Sequence, residues 1–326
     1  MKAVRMTQPG GPDGLRIEEV ADPQHGPEEA LVHIRATALN RADLLQTKGL
    51  YPAPPGAVQD IPGLEFAGEI AAVGSRCQRW KVGDRVMGLT AGGAWAEKIC
   101  AHERELIAAP LNDLSQAAAI PEAFITAWDA LVRQAHLSVG QTVLIHAAAS
   151  GVGTAAIQLC KLYGATSIGT ARNAEKLQRV ASLGLTHSLV TDTKPLQFAA
   201  QVKALVPQGV DVVLDLVGGP YVSESLAALA LKGTIMLVGL VGGVSHEIPL
   251  NVLLGKRARL IGTTLRARPL EEKISVAREF ETAVAPLFKT GALKPVIDAV
   301  VPMTQITAAL HRMANNETVG KTVLTW

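Results

Sequence analysis

Between residues 142 and 263 short apolar strand patterns alternate with helical ones, and this alternation leaves few folds open to the chain. Residues 142–147 read as a buried strand and 154–163 as a helix closed by Gly164. A second strand at 167–171 is followed by a helix at 174–183 closed by Gly184. Strands at 188–191, 210–217, 234–239 and 259–263, with helices at 195–206 and 221–230, continue the series. Strands joined through helices must run parallel, because a crossover is the connection that returns the chain to the same edge. Six of them predict an α/β fold with a doubly wound parallel sheet.

The first third reads differently. Strands at 3–6, 15–20, 30–39, 66–73 and 85–87 are punctuated by Gly10-Gly11-Pro12, Pro62-Gly63 and Gly83-Asp84, which preset turn dihedrals and make this part mainly β. An Ala-rich helical stretch, 116–137, leads into the alternating region. After residue 263 come a long helix at 269–290, a strand at 296–301, a helix at 304–315 and a strand at 321–325. Six strands already complete the doubly wound pattern, so these last elements are expected to return to the first domain. The expected division is 1–122 with 264–326, and 123–263, with a cleft between them.

Composition excludes several functions. The net charge is +2 with no basic block and few aromatics, which removes the footprint of a nucleic-acid binder. Hydrophobic residues make up 48%, yet no run approaches the roughly 20 residues that span a bilayer. The start enters a strand without a secretory apolar core, so a cytoplasmic protein is expected. Three separated cysteines, Cys77, Cys100 and Cys160, build neither a disulfide framework nor a metal knuckle and read as buried or half-buried thiols.

The turn after the first strand of the series is His146-Ala147-Ala148-Ala149-Ser150-Gly151-Val152-Gly153. It is not a GxGxxG sequence. Small residues nevertheless fill Ser150, Gly151, Val152 and Gly153, where main chain at a helix start can approach a diphosphate. The second strand ends in Thr170-Ala171-Arg172-Asn173, with no acid to hold the ribose hydroxyls of NADH. Arg172 and Lys176 offer charge to a 2′-phosphate, which favours NADPH. A solvated helix start, with Glu175 beside it, is the alternative reading of the same pair.

Leu39-Asn40-Arg41-Ala42-Asp43, Tyr51-Pro52-Ala53-Pro54-Pro55-Gly56, Gly63-Leu64-Glu65-Phe66-Ala67-Gly68, Ala118-Ala119-Ile120-Pro121-Glu122-Ala123 and Ser150-Gly151-Val152-Gly153-Thr154 stand in one order over the whole chain. Together they resemble the medium-chain dehydrogenase/reductase superfamily, and within it the zinc-free, zeta-crystallin-like quinone oxidoreductases, most strongly the mammalian stress-induced branch. The resemblance implies a Rossmann domain beside a GroES-like catalytic domain, NADPH as hydride source, a quinone as acceptor, and a homodimer joined through the 234–239 region. It places the nicotinamide near Asn40 and Thr126, runs the cofactor past Gly239, Leu240, Thr264, Leu265 and Asn316, and puts Tyr51 in the quinone pocket. Asn40 would bond a quinone oxygen, and Tyr51 would stack on the ring or polarise it. Zinc enzymes of the superfamily carry a ligand Cys where this chain has Asn40 and a ligand His where it has Leu64. A neutral amide is a poor zinc ligand and Leu has no donor atom, so no metal is expected.

Other readings stay open beside these. Asn40 also suits a turn cap, Tyr51 loop packing and Thr126 a helix-start hydroxyl. Family members commonly carry Asn-Tyr where this chain has Val190-Thr191, which leaves the 2′-phosphate to Arg172 and Lys176. Reduction of an activated carbon–carbon double bond, as in enoyl reductases, and NADPH binding without turnover, as in a crystallin, are the rival functions. Gly320-Lys321-Thr322 imitates the end of a P-loop but enters a strand, and it reads as structural. His146, at the end of a core strand, reads as a satisfied buried histidine.

Overall fold

The computed structural model describes residues 1–192 and 196–326. These form two compact units, Met1–Ile125 with Leu265–Trp326, and Thr126–Thr264. In the second unit six strands lie in the order His187–Val190, Thr166–Ala171, Thr142–Ile145, Val210–Asp215, Leu229–Leu237, Arg259–Gly262, all parallel. Counted along the chain the order is 3-2-1-4-5-6, that of a Rossmann sheet. Its core gathers Leu144, Ile168, Val213 and Ile235 from the strands with Phe198, Val202 and Leu226 from the crossover helices.

Several boundaries differ from the sequence reading, each for a local reason. The first crossover helix is Gly151–Leu162, starting three residues before the expected position, because Ser150 caps it. The 195–206 helix is observed as Ala199–Leu205, and its expected first residue, Pro195, lies outside the described residues. Leu229–Leu237 is longer than expected, and a helix at Leu250–Lys256 follows it. Thr234 to Leu237 is no sheet edge: it pairs with Val212–Asp215 on one side and Arg259–Gly262 on the other, so the edge strand is Arg259–Gly262.

The first unit holds a seven-stranded sheet. Its path is Ile297–Pro302, Lys321–Thr325, Glu29–Ala38, Glu65–Val73, Arg85–Leu89, Ile107–Ala108, with Lys98–His102 also pairing to Glu29–Ala38. A two-stranded ladder of Lys2–Met6 and Leu15–Glu19 stands apart from it. Register brings Val323 opposite Ala38, so the C-terminal strand ends up beside the segment that leads into Asn40. The expected helix at 269–290 is two helices, Leu270–Ala283 and Ala285–Lys289. Pro286 has no N–H to continue the first one. The Ala-rich stretch is likewise broken, into Leu114–Ala117, a wide-turned segment Pro121–Ile125, a single turn Thr126–Trp128 and a second wide segment Asp129–Gln134. Phe124 meets Phe288 edge-on at 4.8 Å in the first unit's interior. Among the described residues no helix is long and apolar enough to cross a membrane.

Candidate active site

In the second unit the turn after Thr142–Ile145 is held by backbone. Ala148 N–H donates to Thr170 O at 2.9 Å and Ser150 N–H to Ala147 O at 2.9 Å, with Ala147 in the left-handed region at φ 49°. Ser150 Oγ accepts from Gly153 N–H at 3.1 Å. Gly151 and Val152 form the first helical positions, whose N–H groups have no acceptor within the helix. A Cβ on Gly153 would stand 2.5 Å from Ala147 O and 2.6 Å from Ala148 O, so no side chain fits. Bare main chain with outward N–H groups at the start of a 12-residue helix suits a diphosphate.

The other second-unit candidates lie at strand ends. Arg172 is exposed, and Asn173 next to it caps Ala174–Val180 by accepting from Lys176 N–H at 3.0 Å. Gly239 packs against the main chain of Leu216, where a Cβ would come within 2.5 Å of the carbonyl oxygen, and Leu240 is exposed. Thr126, buried, opens the turn Thr126–Trp128, and Thr264 ends the unit. His146 is fully buried between Thr170 Oγ1 at 3.0 Å and Ser225 Oγ at 2.8 Å. Burial pulls its pKa down to about 3, so the ring is neutral. Thr191 Oγ1 lies 2.9 Å from the Tyr221 hydroxyl, and the Tyr221 and His146 rings meet in a T-shaped contact with centroids 4.8 Å apart.

In the first unit half-buried Asn40 joins a polar cluster whose members Asp43, Glu65 and Lys321 are buried. Asn40 Nδ2 donates to Glu65 Oε1 at 2.9 Å, while its Oδ1 accepts from the Lys321 ammonium. That ammonium also contacts Glu65 Oε1 at 2.6 Å and donates to Leu39 O at 2.8 Å. Lys321 is the residue of the apparent P-loop triplet, and its head is turned inward, away from any phosphate role. Asp43 accepts the Asn40 N–H at 2.8 Å, and Glu122 N–H donates to Glu65 Oε2 at 2.8 Å. Burial is the main cause that raises the Asp43 carboxyl to about 7, opposed by the Asn40 N–H and by Lys321. Leu64 is buried beside the cluster and brings no donor atom.

A second set of contacts fixes the Tyr51 loop. Arg266 donates through Nη2 to Gln46 Oε1 at 2.6 Å, through Nη1 to Tyr51 O at 3.1 Å and through Nε to Ala91 O at 2.9 Å. Its guanidinium lies 5.0 Å from the centre of the Tyr51 ring, within cation–π range. Leu265 precedes it. Asn316, left-handed at φ 58°, accepts from Arg41 Nη2 at 2.9 Å, which puts the Asn40 helix and the C-terminal segment in contact.

Of the sequence candidates, the structure thus groups Asn40 with Glu65 and Lys321, and Tyr51 with Arg266, in one unit. Ser150 to Gly153, Arg172, Lys176, Gly239, Leu240 and Thr126 lie in the other. Sequence reasoning missed Lys321, Glu65, Glu122, Arg266 and Gln46 as site residues. Glu65 and Glu122 did leave a trace, each a lone acid inside an apolar run. Among the described residues no three His, Cys, Asp or Glu side chains stand close enough to hold a metal ion.

The α/β pairing of a Rossmann sheet with a mixed β unit, a bare helix-start turn and a buried Asn–Glu–Lys cluster define an oxidoreductase of the dehydrogenase class. Residues 26–111 match the alcohol dehydrogenase GroES-like domain and residues 151–290 the zinc-binding dehydrogenase family. The chain belongs to the medium-chain dehydrogenase/reductase superfamily. It is 30% identical to a quinone oxidoreductase of Pongo abelii, over 99% of this chain and 97% of the relative. It is equally 30% identical to the synaptic vesicle membrane protein VAT-1 homolog of Danio rerio, over 99% of this chain and 70% of that one. Among solved structures, mycobacterial Rv1454c complexed with NADPH superposes with a TM-score of 0.89 at 28% identity, covering 100% of both chains. The JamJ enoyl reductase in its apo form gives 0.89 at 26%, covering 99% of this chain and 98% of that one.

Proposed function

We propose that this protein is an NADPH-dependent quinone oxidoreductase that works without zinc. The observation that carries the reading is the Lys321 ammonium, seated against Asn40 and Glu65. It is already the cation of that cluster and is paired with its carboxylate Glu65, so a divalent ion there would be repelled by it, and the two neighbouring positions offer a neutral amide, Asn40, and a leucine, Leu64, which has no donor atom. Quinone carbonyls are electrophilic without a Lewis acid, so the protein's task reduces to orientation and proton supply. NADPH supplies the hydride when bound. The groups that would hold it are the N–H groups of Gly151 and Val152 for the diphosphate and Arg172 with Lys176 for the 2′-phosphate. On the substrate side, the Arg266 anchor holds Tyr51 for stacking and Asn40 offers an amide to a quinone oxygen.

The test is anaerobic mixing of purified protein with NADPH or NADH and a panel of ortho- and para-quinones, with metal analysis of the same sample. Quinone-dependent loss of nicotinamide absorbance, faster with NADPH and without stoichiometric zinc, is the expected result. Binding of NADPH with no turnover of any acceptor would refute the enzyme reading. A second reading, reduction of an activated carbon–carbon double bond, is favoured by the close superposition on the JamJ enoyl reductase. Product analysis with an enone separates the two. We also propose a homodimer in which two copies pair along Arg259–Gly262, an edge strand that carries the exposed Leu260 and follows a helix with exposed Leu250 and Leu254. Sedimentation of the native protein should give twice the chain mass.

A further inference from the structure

Asp43, Glu65 and Glu122 are three carboxyl groups drawn together in the first unit, and the cations that act on them are Lys321 and Arg266. With every acid ionised the cluster would hold a surplus negative charge, with Asp43 and Glu65 out of water and Glu122 half-buried. Such a set retains one proton near neutrality. Hydrogen bonding leaves Asp43 Oδ1 and the Glu122 carboxyl without a donor, and of the two acids only Glu122 lines a cavity. Glu65 accepts from Asn40 Nδ2, from Glu122 N–H and from the Lys321 ammonium, and Asp43 accepts from Asn40 N–H. No donor among the described residues reaches the Glu122 carboxyl. Burial pushes that carboxyl up to about 8, helped by the neighbouring Glu65 charge and by Asp43 and opposed by Lys321 and Arg266.

Glu122 also lines a cavity of about 30 Å³ together with Leu64, Thr90, Ile125, Leu265 and Arg266. That is room for about one water, or for a single substrate oxygen that displaces it. Glu105 and Lys273 face the same cavity from the turn before Ile107–Ala108 and from the helix Leu270–Ala283. Burial raises Glu105, with Lys273 opposing. Resting on the reductase reading above, we infer that Glu122 is the acid that gives its proton to the substrate oxygen, which is seated in this cavity. The step balances. The hydride that NADPH would supply carries one hydrogen and both electrons to the quinone, leaving NADP⁺ and a hydroquinone monoanion; the Glu122 O–H bond then breaks and its proton forms the second O–H bond of the hydroquinone. The electron pair stays on the Glu122 carboxylate, which takes a proton back from water.

The test compares wild type with Glu122→Gln and Glu122→Asp at saturating NADPH across about pH 6 to about pH 10. Wild-type kcat is expected to fall as pH rises through about 8, where Glu122 loses its proton. The Gln variant should lose about 10²-fold in kcat with little change in quinone KM, and should lose that descending limb. The Asp variant should keep the limb at reduced kcat. Infrared difference spectra between the two pH extremes should show protonated carboxyl absorption that titrates through about 8 in wild type and is lost from the Gln variant, which keeps only the part titrating at about 7 that belongs to Asp43. Fluorescence titration with NADPH, unchanged in the Gln variant, shows that it is folded. An active wild type with an equally active Gln variant, or a Gln variant whose carboxyl absorption is undiminished, overturns the assignment of Glu122 alone. A wild type that binds NADPH and reduces no acceptor overturns the reductase reading and this assignment with it.

Discussion

Replacing Lys321 by Met removes the cation paired directly with Glu65. The ion pair to Glu65 measures 2.6 Å, with the Lys321 side chain 4% and the Glu65 side chain 0% exposed. The same substitution strands Leu39 O and Asn40 Oδ1, which accept from the ammonium. Breaking a buried pair from one side leaves an unpaired charge in a poor solvent, at a cost of about 3–5 kcal/mol. An exposed pair in the same sheet gives the control. Arg35 and Glu69 are 2.8 Å apart but 49% and 38% exposed, so Arg35→Met should cost no more than about 1 kcal/mol. Adding Glu65→Gln to Lys321→Met removes the stranded charge, and the double variant should be more stable than Lys321→Met alone. Urea unfolding of the four proteins, followed by circular dichroism, measures all of this. If Lys321→Met costs no more than Arg35→Met, or if Glu65→Gln fails to rescue it, the cluster is not the buried ion pair argued for here.

Gly153→Ala should lower NADPH affinity by about fivefold to about a hundredfold, since a 2.5 Å approach to Ala147 O must be relieved by shifting the turn, at about 1–3 kcal/mol; calorimetry reads it, and unaltered affinity would remove the turn from the cofactor site. Arg266→Lys keeps the charge but cannot reach Gln46, Tyr51 and Ala91 together, so quinone KM should rise several-fold while NADPH affinity holds. His146 has its pKa lowered by burial to about 3, against about 6.5 when unfolded. The unfolded chain therefore binds the extra proton first: this contribution is fully present above about pH 6.5 and is lost as pH falls toward about 3, by up to about 1.4 kcal/mol per pH unit. His146→Asn should flatten the stability profile in that window, and an unchanged slope would show that the ring protonates while folded.

The wide-turned segment Pro121–Ile125 shows how a correct local reading can hide a functional group. Its Ala-rich pattern announced a helix, and a helix of a kind is there. Nothing in that pattern told Glu122 apart from a solvated acid on an outer face. Its proton affinity depends on Glu65, 57 positions earlier, and on Lys321 at the far end of the chain. The expected edge strand failed for a similar reason. Thr234 to Leu237 carries the apolar run of any buried strand, and only pairing on both sides reveals that the rim passes to Arg259–Gly262.

By itself the sequence determined the parallel sheet and the helix-start turn at Ser150 to Gly153. Alternation of strand and helix periods, capping by Ser150 and the need for a residue without a side chain at position 153 are all local, and neighbours a few positions apart enforce them. Only the tertiary structure decided what Asn40 is for. Its amide meets Lys321 across 281 positions, because the C-terminal strand pairs with Glu29–Ala38. Charge in a low-dielectric interior is set by whatever folding brings within a few ångströms, and no periodicity along the chain encodes that distance.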